Sequence, residues 1–275
     1  MIEKVTYRNH LNEEFHFDEN GAFLNAGGLR DYSWKAVNKN NRISVLEKDV
    51  TQFKLPIYII APTEEKGIEL KNQLFEIVEK DVLAMEKGRF IVGDHYLQCY
   101  VTASSKSEYL KSARCMKVTL TVQTDSPFWI KESKYGFYKI PTSADYAHLD
   151  YNFDYPIDYW VGSHNSRILR NSAFTDSNFR MIIYGYCNAP QIKIGDHLYQ
   201  LKVAINAGSR AVIDSEKKTI VLIDKDGNET NIFSKRNRDS YIFKKIPAGL
   251  VHVELGEAFD LDIIIKEERS EPKWT

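Results

Sequence analysis

Residues 115–124, CMKVTLTVQT, alternate without a fault. Met116, Val118, Leu120 and Val122 are apolar, and Lys117, Thr119, Thr121 and Gln123 are polar. Successive side chains of an extended chain point to opposite faces, so a period of two marks a strand with one buried face. Residues 259–266, FDLDIIIK, repeat the pattern through Leu261, Ile263 and Ile265. Glu19-Asn20-Gly21, Gly93-Asp94, Gly195-Asp196 and Asp226-Gly227-Asn228 fall between apolar runs, where hairpins turn. The fold class is therefore mainly β.

One segment departs from period two. Residues 63–87, TEEKGIELKNQLFEIVEKDVLAMEK, carry Ile68, Leu74, Phe75, Ile77, Val78, Val82 and Met85, most of them on one face of a helix. Thr63 is the expected N-cap, and Glu64 and Glu65 suit the positive end of the helix dipole. Gly88 is the expected stop. One amphipathic helix is predicted to pack on a β structure.

A length of 275 residues allows one or two domains, and 43% hydrophobic with 12% aromatic residues is ample for a core. The net charge of −1 removes the main reason to expect nucleic-acid binding. Lys235-Arg236-Asn237-Arg238 is a local basic run that reads as a solvated loop. No apolar stretch reaches the length of a membrane-spanning helix; the longest, LPIYIIAP and MIIYGY, have strand length. The first fifteen residues lack the apolar core of a signal peptide, so synthesis in a cytoplasm is expected. Cys99, Cys115 and Cys187 have neither metal nor disulfide spacing and read as reduced thiols.

Candidate chemistry is sparse. VGDHYLQC (92–99) and IGDHLYQL (194–201) each place Asp beside His, but neighbours on a strand diverge, and a Gly-Asp turn explains both. DKDGNE (224–229) begins like a calcium loop, yet loop position twelve is Lys235 rather than glutamate, so a tight hairpin is expected. Asn228-Glu229-Thr230 matches a glycosylation sequon and reads as turn composition. Ser163 and His164 adjoin with no third partner placed by a motif. No nucleophile elbow, phosphate loop, zinc-protease or dinucleotide motif occurs. The reading is of a protein that is not an enzyme, with no cofactor, no catalytic residue and no metal site.

Between the halves, Pro127, Pro141 and Pro156 interrupt an aromatic-rich segment that reads as a crossover from one sheet to another. Within it, residues 149–160, LDYNFDYPIDYW, set Tyr151, Phe153, Tyr155, Ile157 and Tyr159 at odd positions. Asp150, Asn152, Asp154, Pro156 and Asp158 take the even ones. The pattern predicts an extended strap with one aromatic face, an inter-domain seam of Tyr151, Phe153, Tyr155, Tyr159 and Trp160. The alternative is a saccharide-stacking platform of Tyr155, Tyr159 and Trp160. Beyond Trp160, strand signals recur at sandwich spacing with no convincing helix. The expected organisation is residues 1–140, a crossover at 141–160, and a β-sandwich at 161–275.

The order of these parts resembles the distal tail protein (Dit) family of siphophages, the phage tail family proteins. In the first half the resemblance rests on GRFIVGDHYLQCYVTASSKSEYLKSARCMKVTLTVQTDSPFWIKE (88–132), with its Thr124, Pro127, Phe128 and Trp129 unit and the helix before it. In the second half it rests on GSRAVIDSEKKTIVLIDKDGNETNIFS (208–234) and YIFKKIPAGLVHVEL (241–255). It implies an N-terminal ring-forming domain, a β-sandwich or split barrel with a helix and an extended hairpin. It implies a C-terminal sandwich like a galectin or carbohydrate-binding module that serves as a docking platform. By the same resemblance the protein would be a structural hub of the tail tip, or baseplate, of a siphovirus or prophage. It would form a homo-oligomeric ring of six subunits, made in the bacterial cytoplasm and carried in the virion. Its partners would be the tail tube protein and a tail-associated lysin, tail fibre or receptor-binding protein, with neither nucleic acid nor membrane insertion. A host-adhesion, carbohydrate-binding module is the alternative.

Overall fold

The computed structural model describes residues 4–18, 21–107, 113–138, 166–257 and 259–274. The chain divides into two compact units, Met1–Lys131 with Glu268–Thr275, and Glu132–Glu267. The expected crossover at 141–160 lies outside the described residues.

The strands of the first half are β1 (Val5–Arg8), β2 (Glu14–His16), β3 (Ala22–Leu24), β4 (Lys35–Lys39) and β5 (Arg42–Glu47), then β6 (Thr51–Ile60), β7 (Gly88–Val92), β8 (His95–Ser107), β9 (Cys115–Thr124) and β10 (Trp129–Phe137). The helix α1 (Glu64–Ala84) lies between β6 and β7. Strand β8 serves two antiparallel sheets. Residues 95–99 pair with β7, which continues to β1 and β2, while residues 100–107 pair with β9, which continues to β6 and β3. A register shift between Val101 and Ala103 follows just after the change of partner.

The alternation read from residues 115–124 holds. Met116, Val118, Leu120 and Val122 are buried, joining Leu55, Ile57 and Ile59 of β6 in the core of this unit. Each such side chain contributes about 1.5–3 kcal/mol. The Gly93 and Gly195 turns close hairpins at left-handed φ of 55° and 56°. Asp224 caps its own turn by accepting from the Asp226 and Asn228 amides, so DKDGNE is a hairpin.

Helix α1 begins as expected, with the Thr63 hydroxyl accepting from the Lys66 amide at 3.2 Å. Its end differs. Met85, at φ 55° in the left-handed region, terminates it, and Gly88 already belongs to β7. Gly88 serves close packing, because a Cβ there would lie 2.2 Å from both Asp81 Oδ2 and Tyr7 Oη. The buried face also shifts. Leu70, Leu74, Ile77, Val78 and Asp81 face the sheets, whereas Ile68 and Met85 are exposed. Phe75 is half-buried against the same core.

The second unit contains β11 (Ser166–Asn171), β12 (Asn178–Tyr184), β13 (Cys187–Asn188), β14 (Gln191–Ile194), β15 (His197–Gln200) and β16 (Ala204–Ile205). It continues through β17 (Arg210–Asp214), β18 (Thr219–Ile223), β19 (Glu229–Asn231), β20 (Gly249–Leu255) and β21 (Leu261–Arg269). One sheet runs β19-β18-β17-β12-β21, and the other runs β11-β20-β14-β15. Phe179, Met181 and Ile183 of β12 join Ile192, Ile194 and Val253 of the second sheet in one core, which makes a β-sandwich. Leu261, Ile263 and Ile265 enter this core as their alternation predicts. The protein is mainly β, with one α-helix among the described residues.

The last residues return to the first unit. Arg30 donates from Nη1 to the Pro272 carbonyl at 2.8 Å, and its guanidinium carbon lies 3.6 Å from the centroid of the Trp274 ring. Stacking of this kind adds about 0.5–2 kcal/mol.

Candidate assembly surfaces

In the first unit, β4 and β5 form a two-stranded hairpin that pairs with no other described strand. Its turn is Asn40-Asn41, with φ 52° and 58°, the double left-handed geometry of a two-residue hairpin loop. Every residue of both strands is exposed. Val37, Ile43, Val45 and Leu46 are nevertheless apolar, with Ile43 64% and Val45 51% exposed. A lone hairpin is marginal in water, and a monomer seldom presents such a concentration of large apolar groups without a binding purpose.

The hairpin is held at its base. Lys48 Nζ lies 5.6, 5.1 and 4.5 Å from the ring centroids of Tyr32, Trp34 and Phe128. It also donates to the Pro127 carbonyl at 2.8 Å. Trp34 meets Phe128 edge-to-face at 6.0 Å. Burial holds the Lys48 ammonium below its ordinary pKa. Three rings and one carbonyl thus gather around a single, half-buried cation. The resemblance singled out Pro127 and Phe128 as a structural unit, and here they complete this cage.

Two further apolar surfaces lie on the same unit. Leu83 and Met85 are exposed at the C-terminal end of α1, and Phe23, Tyr58 and Ile60 are exposed along the paired strands β3 and β6. A shallow groove between α1 and β8 is lined by Phe75, Val78, Val82 and Val101, with Lys106 Nζ 4.5 Å from the Phe75 ring.

The sequence-predicted seam of Tyr151, Phe153, Tyr155, Tyr159 and Trp160, and with it the alternative saccharide platform, lies outside the described residues. So do Ser163 and His164. Asp94 is exposed and pairs with Lys131 at 3.1 Å, while His95 is buried. No group of three or more His, Cys, Asp or Glu side chains among the described residues is arranged to hold a metal ion. None of the three cysteines forms a disulfide. No described helix is long and apolar enough to cross a membrane. The reading of the sequence missed the β4–β5 hairpin, although Asn40-Asn41 between Val37 and the alternating Ile43 and Val45 was a usable signal.

No family model matches the chain, and no curated protein sequence matches it. Solved structures do. The structure of the phage P2 baseplate in its activated conformation with Ca superposes with a TM-score of 0.64 at 11% identity, covering 99% of this chain and 100% of that one. The chain has the fold of phage baseplate proteins. The corresponding P2 structure with Sr gives the same TM-score, identity and coverage. The crystal structure of SPP1 Dit, described as a paradigm of the hub adsorption apparatus in phages infecting Gram-positive bacteria, matches with a TM-score of 0.57 at 9% identity. It covers 98% of this chain and 100% of that one. At such identities the shared property is the fold, carried from end to end of the chain.

Proposed function

We propose that the protein is a structural hub of a phage tail tip, a homo-oligomeric ring with six-fold symmetry. It would join the tail tube to a tail-associated lysin, fibre or receptor-binding protein, acting by assembly and not by catalysis. The supporting likeness is the fold shared over 98–99% of the chain with baseplate and hub proteins. The observation that carries the reading is the β4–β5 hairpin, exposed along its whole length and carrying Val37, Ile43, Val45 and Leu46. A closed ring needs two different, complementary patches on each subunit. The hairpin is one, and the exposed patches on α1 and on β3–β6 are candidates for the other. In this reading the sandwich of the second unit is the outward docking platform, residues 141–160 are the strap between domains, and the protein is carried in the virion.

Light scattering and native mass spectrometry test the proposal. The expected species is a ring of about six subunits. The double variant Ile43→Asp, Val45→Asp is expected to be monomeric with an unchanged melting temperature, because neither side chain is buried in the subunit. A wild-type chain that stays monomeric at its solubility limit and in the presence of tail tube protein would overturn the reading. So would a double variant that still assembles.

A further inference from the structure

The register of the β4–β5 hairpin shifts between Val37 and Asn38, opposite which Ser44 is the extra residue of β5. Val37 pairs with Val45, and Lys39 pairs with Arg42. Val37 and Lys39 are two positions apart on β4, and partners directly opposite each other point to the same side. The shift therefore gathers both pairs on one face, two valines and then two cations beside the Asn40-Asn41 turn. Plain alternation along β5 would have set Arg42 on the face opposite Val45. Lys39 and Arg42 are exposed, and neither is in an ion pair among the described residues.

The groove between α1 and β8 has a matching composition. Phe75, Val78 and Val82 line its helix side together with Glu79, and exposed Glu76 lies one turn before Glu79. Neither glutamate is in an ion pair among the described residues. Lys106, the one cation among the lining residues, is already engaged: its ammonium lies 4.5 Å from the Phe75 ring centroid and donates to the Ser104 hydroxyl at 2.8 Å. On the other side of the groove, residues 100–107 of β8 pair with β9 and with no other described strand, which leaves one edge of β8 unpaired there. Strands β4 and β5 pair only with each other among the described strands, so the hairpin too has unpaired edges.

We infer that the valine–cation face of the hairpin seats in the α1–β8 groove of a second copy of this chain. Val37 and Val45 lie against Phe75, Val78 and Val82, and Lys39 and Arg42 face Glu76 and Glu79. This rests on the ring reading and names the contact that closes the ring. Charge selects the groove over the other exposed surface of the unit. Strands β3, β6 and β9 carry Lys54 and Lys117 and no carboxylate, so nothing on them matches the cation pair. An unpaired strand edge beside an apolar helix face is also the setting in which an incoming strand is held by main chain and side chains together. The hairpin and the groove are different surfaces, so each copy gives one and receives the other, as a closed ring requires.

Two charge-reversed forms of the full chain test the contact by native mass spectrometry, under the conditions in which wild type assembles. Lys39→Glu, Arg42→Glu reverses the hairpin, and Glu76→Lys, Glu79→Lys reverses the groove. All four side chains are exposed, so melting temperatures should not change. Each variant alone sets like charges face to face and is expected to stay monomeric. Mixed in equal amounts, the two are expected to assemble, because each reversed hairpin then meets a reversed groove and each native hairpin a native one. The rings should hold the two chains in equal numbers. Assembly of either variant alone, or a mixture that stays monomeric while wild type assembles, overturns this contact and leaves the ring reading standing. A wild-type chain that never assembles removes both.

Discussion

Tyr7 on β1 donates its phenolic hydrogen to Asp81 Oδ2 on α1 at 2.6 Å, across 74 residues of sequence. Asp81 is fully buried, and its Oδ1 also accepts from the His10 amide at 2.8 Å and lies 2.6 Å from His10 Nδ1. A single carboxylate thus ties the last turns of the helix to the first hairpin of the chain. Gly88 leaves it the space to do so.

Removing the hydroxyl in Tyr7→Phe keeps the packing and leaves a buried carboxylate oxygen without its donor. The expected loss is about 1–3 kcal/mol, read by urea unfolding at neutral pH. Burial, the influence of Cys99 and the bond to Asp81 all push the phenol pKa above its ordinary value. The folded state therefore holds its proton where the unfolded state, near pH 10, releases it. Stability from this group is present below pH 10 and is lost as the pH rises beyond it. Wild type should weaken with alkali more steeply than Tyr7→Phe. Parallel alkaline profiles for the two proteins would contradict the assignment.

Asp262 in the second unit, 2% exposed, is the reciprocal case. Burial alone would raise its pKa, but the Lys134 ammonium and the hydroxyls of Tyr184 and Tyr138, each at 2.9 Å, outweigh it and hold the carboxyl below its ordinary range. A depressed carboxyl contributes stability above its unfolded pKa, near 4, and loses it as the pH falls through the folded value. Lys134 and Tyr138 are well exposed, so solvent screening limits the contribution. Asp262→Asn is expected to cost about 1–2 kcal/mol at neutral pH. The difference from wild type should close below about pH 4, and a constant difference across an acid titration would refute it.

Lys48→Met retains the aliphatic stem and removes the charge from the cage of Tyr32, Trp34 and Phe128. The loss of about 0.5–2 kcal/mol should fall on the hairpin that the cage steadies. Amide exchange in residues 35–47 should quicken while the strands of the core keep their protection. Unchanged hairpin exchange would show that the cage does not govern the arm.

Much of this fold is legible in short windows. The strict alternation of residues 115–124, the Gly93 and Gly195 turns and the Thr63 cap depend on residues within a few positions of each other, and each is found in place. The errors have a common origin. Gly88 has the composition of a helix stop, but the space it leaves is required by Tyr7 and Asp81, and neither is adjacent to it in sequence. Asp262 and Lys266 fall on the polar side of an alternating strand and would be read as solvated. Both are buried because Tyr184 and Glu216 come from other strands and turns to bond them. The β4–β5 hairpin had a readable turn, but alternation reports only that one face is apolar and not that no other described strand pairs with it.

The sequence by itself determined a β-rich chain with one helix before a long hairpin, no recognisable catalytic motif, and an order of parts like that of a tail-tip hub. The strands, turns and helix need only backbone periodicity and local turn chemistry, which a window of ten residues contains, whereas the likeness in the order of parts rests on a resemblance to the family. Only the tertiary structure decided that the final residues return to Arg30, 242 positions from Pro272. It alone showed that no described strand pairs with the exposed β4–β5 hairpin, and it brought Lys218 to the Tyr241 hydroxyl. Burial and charge density belong to residues brought together across the chain, and no local pattern encodes which distant segment arrives.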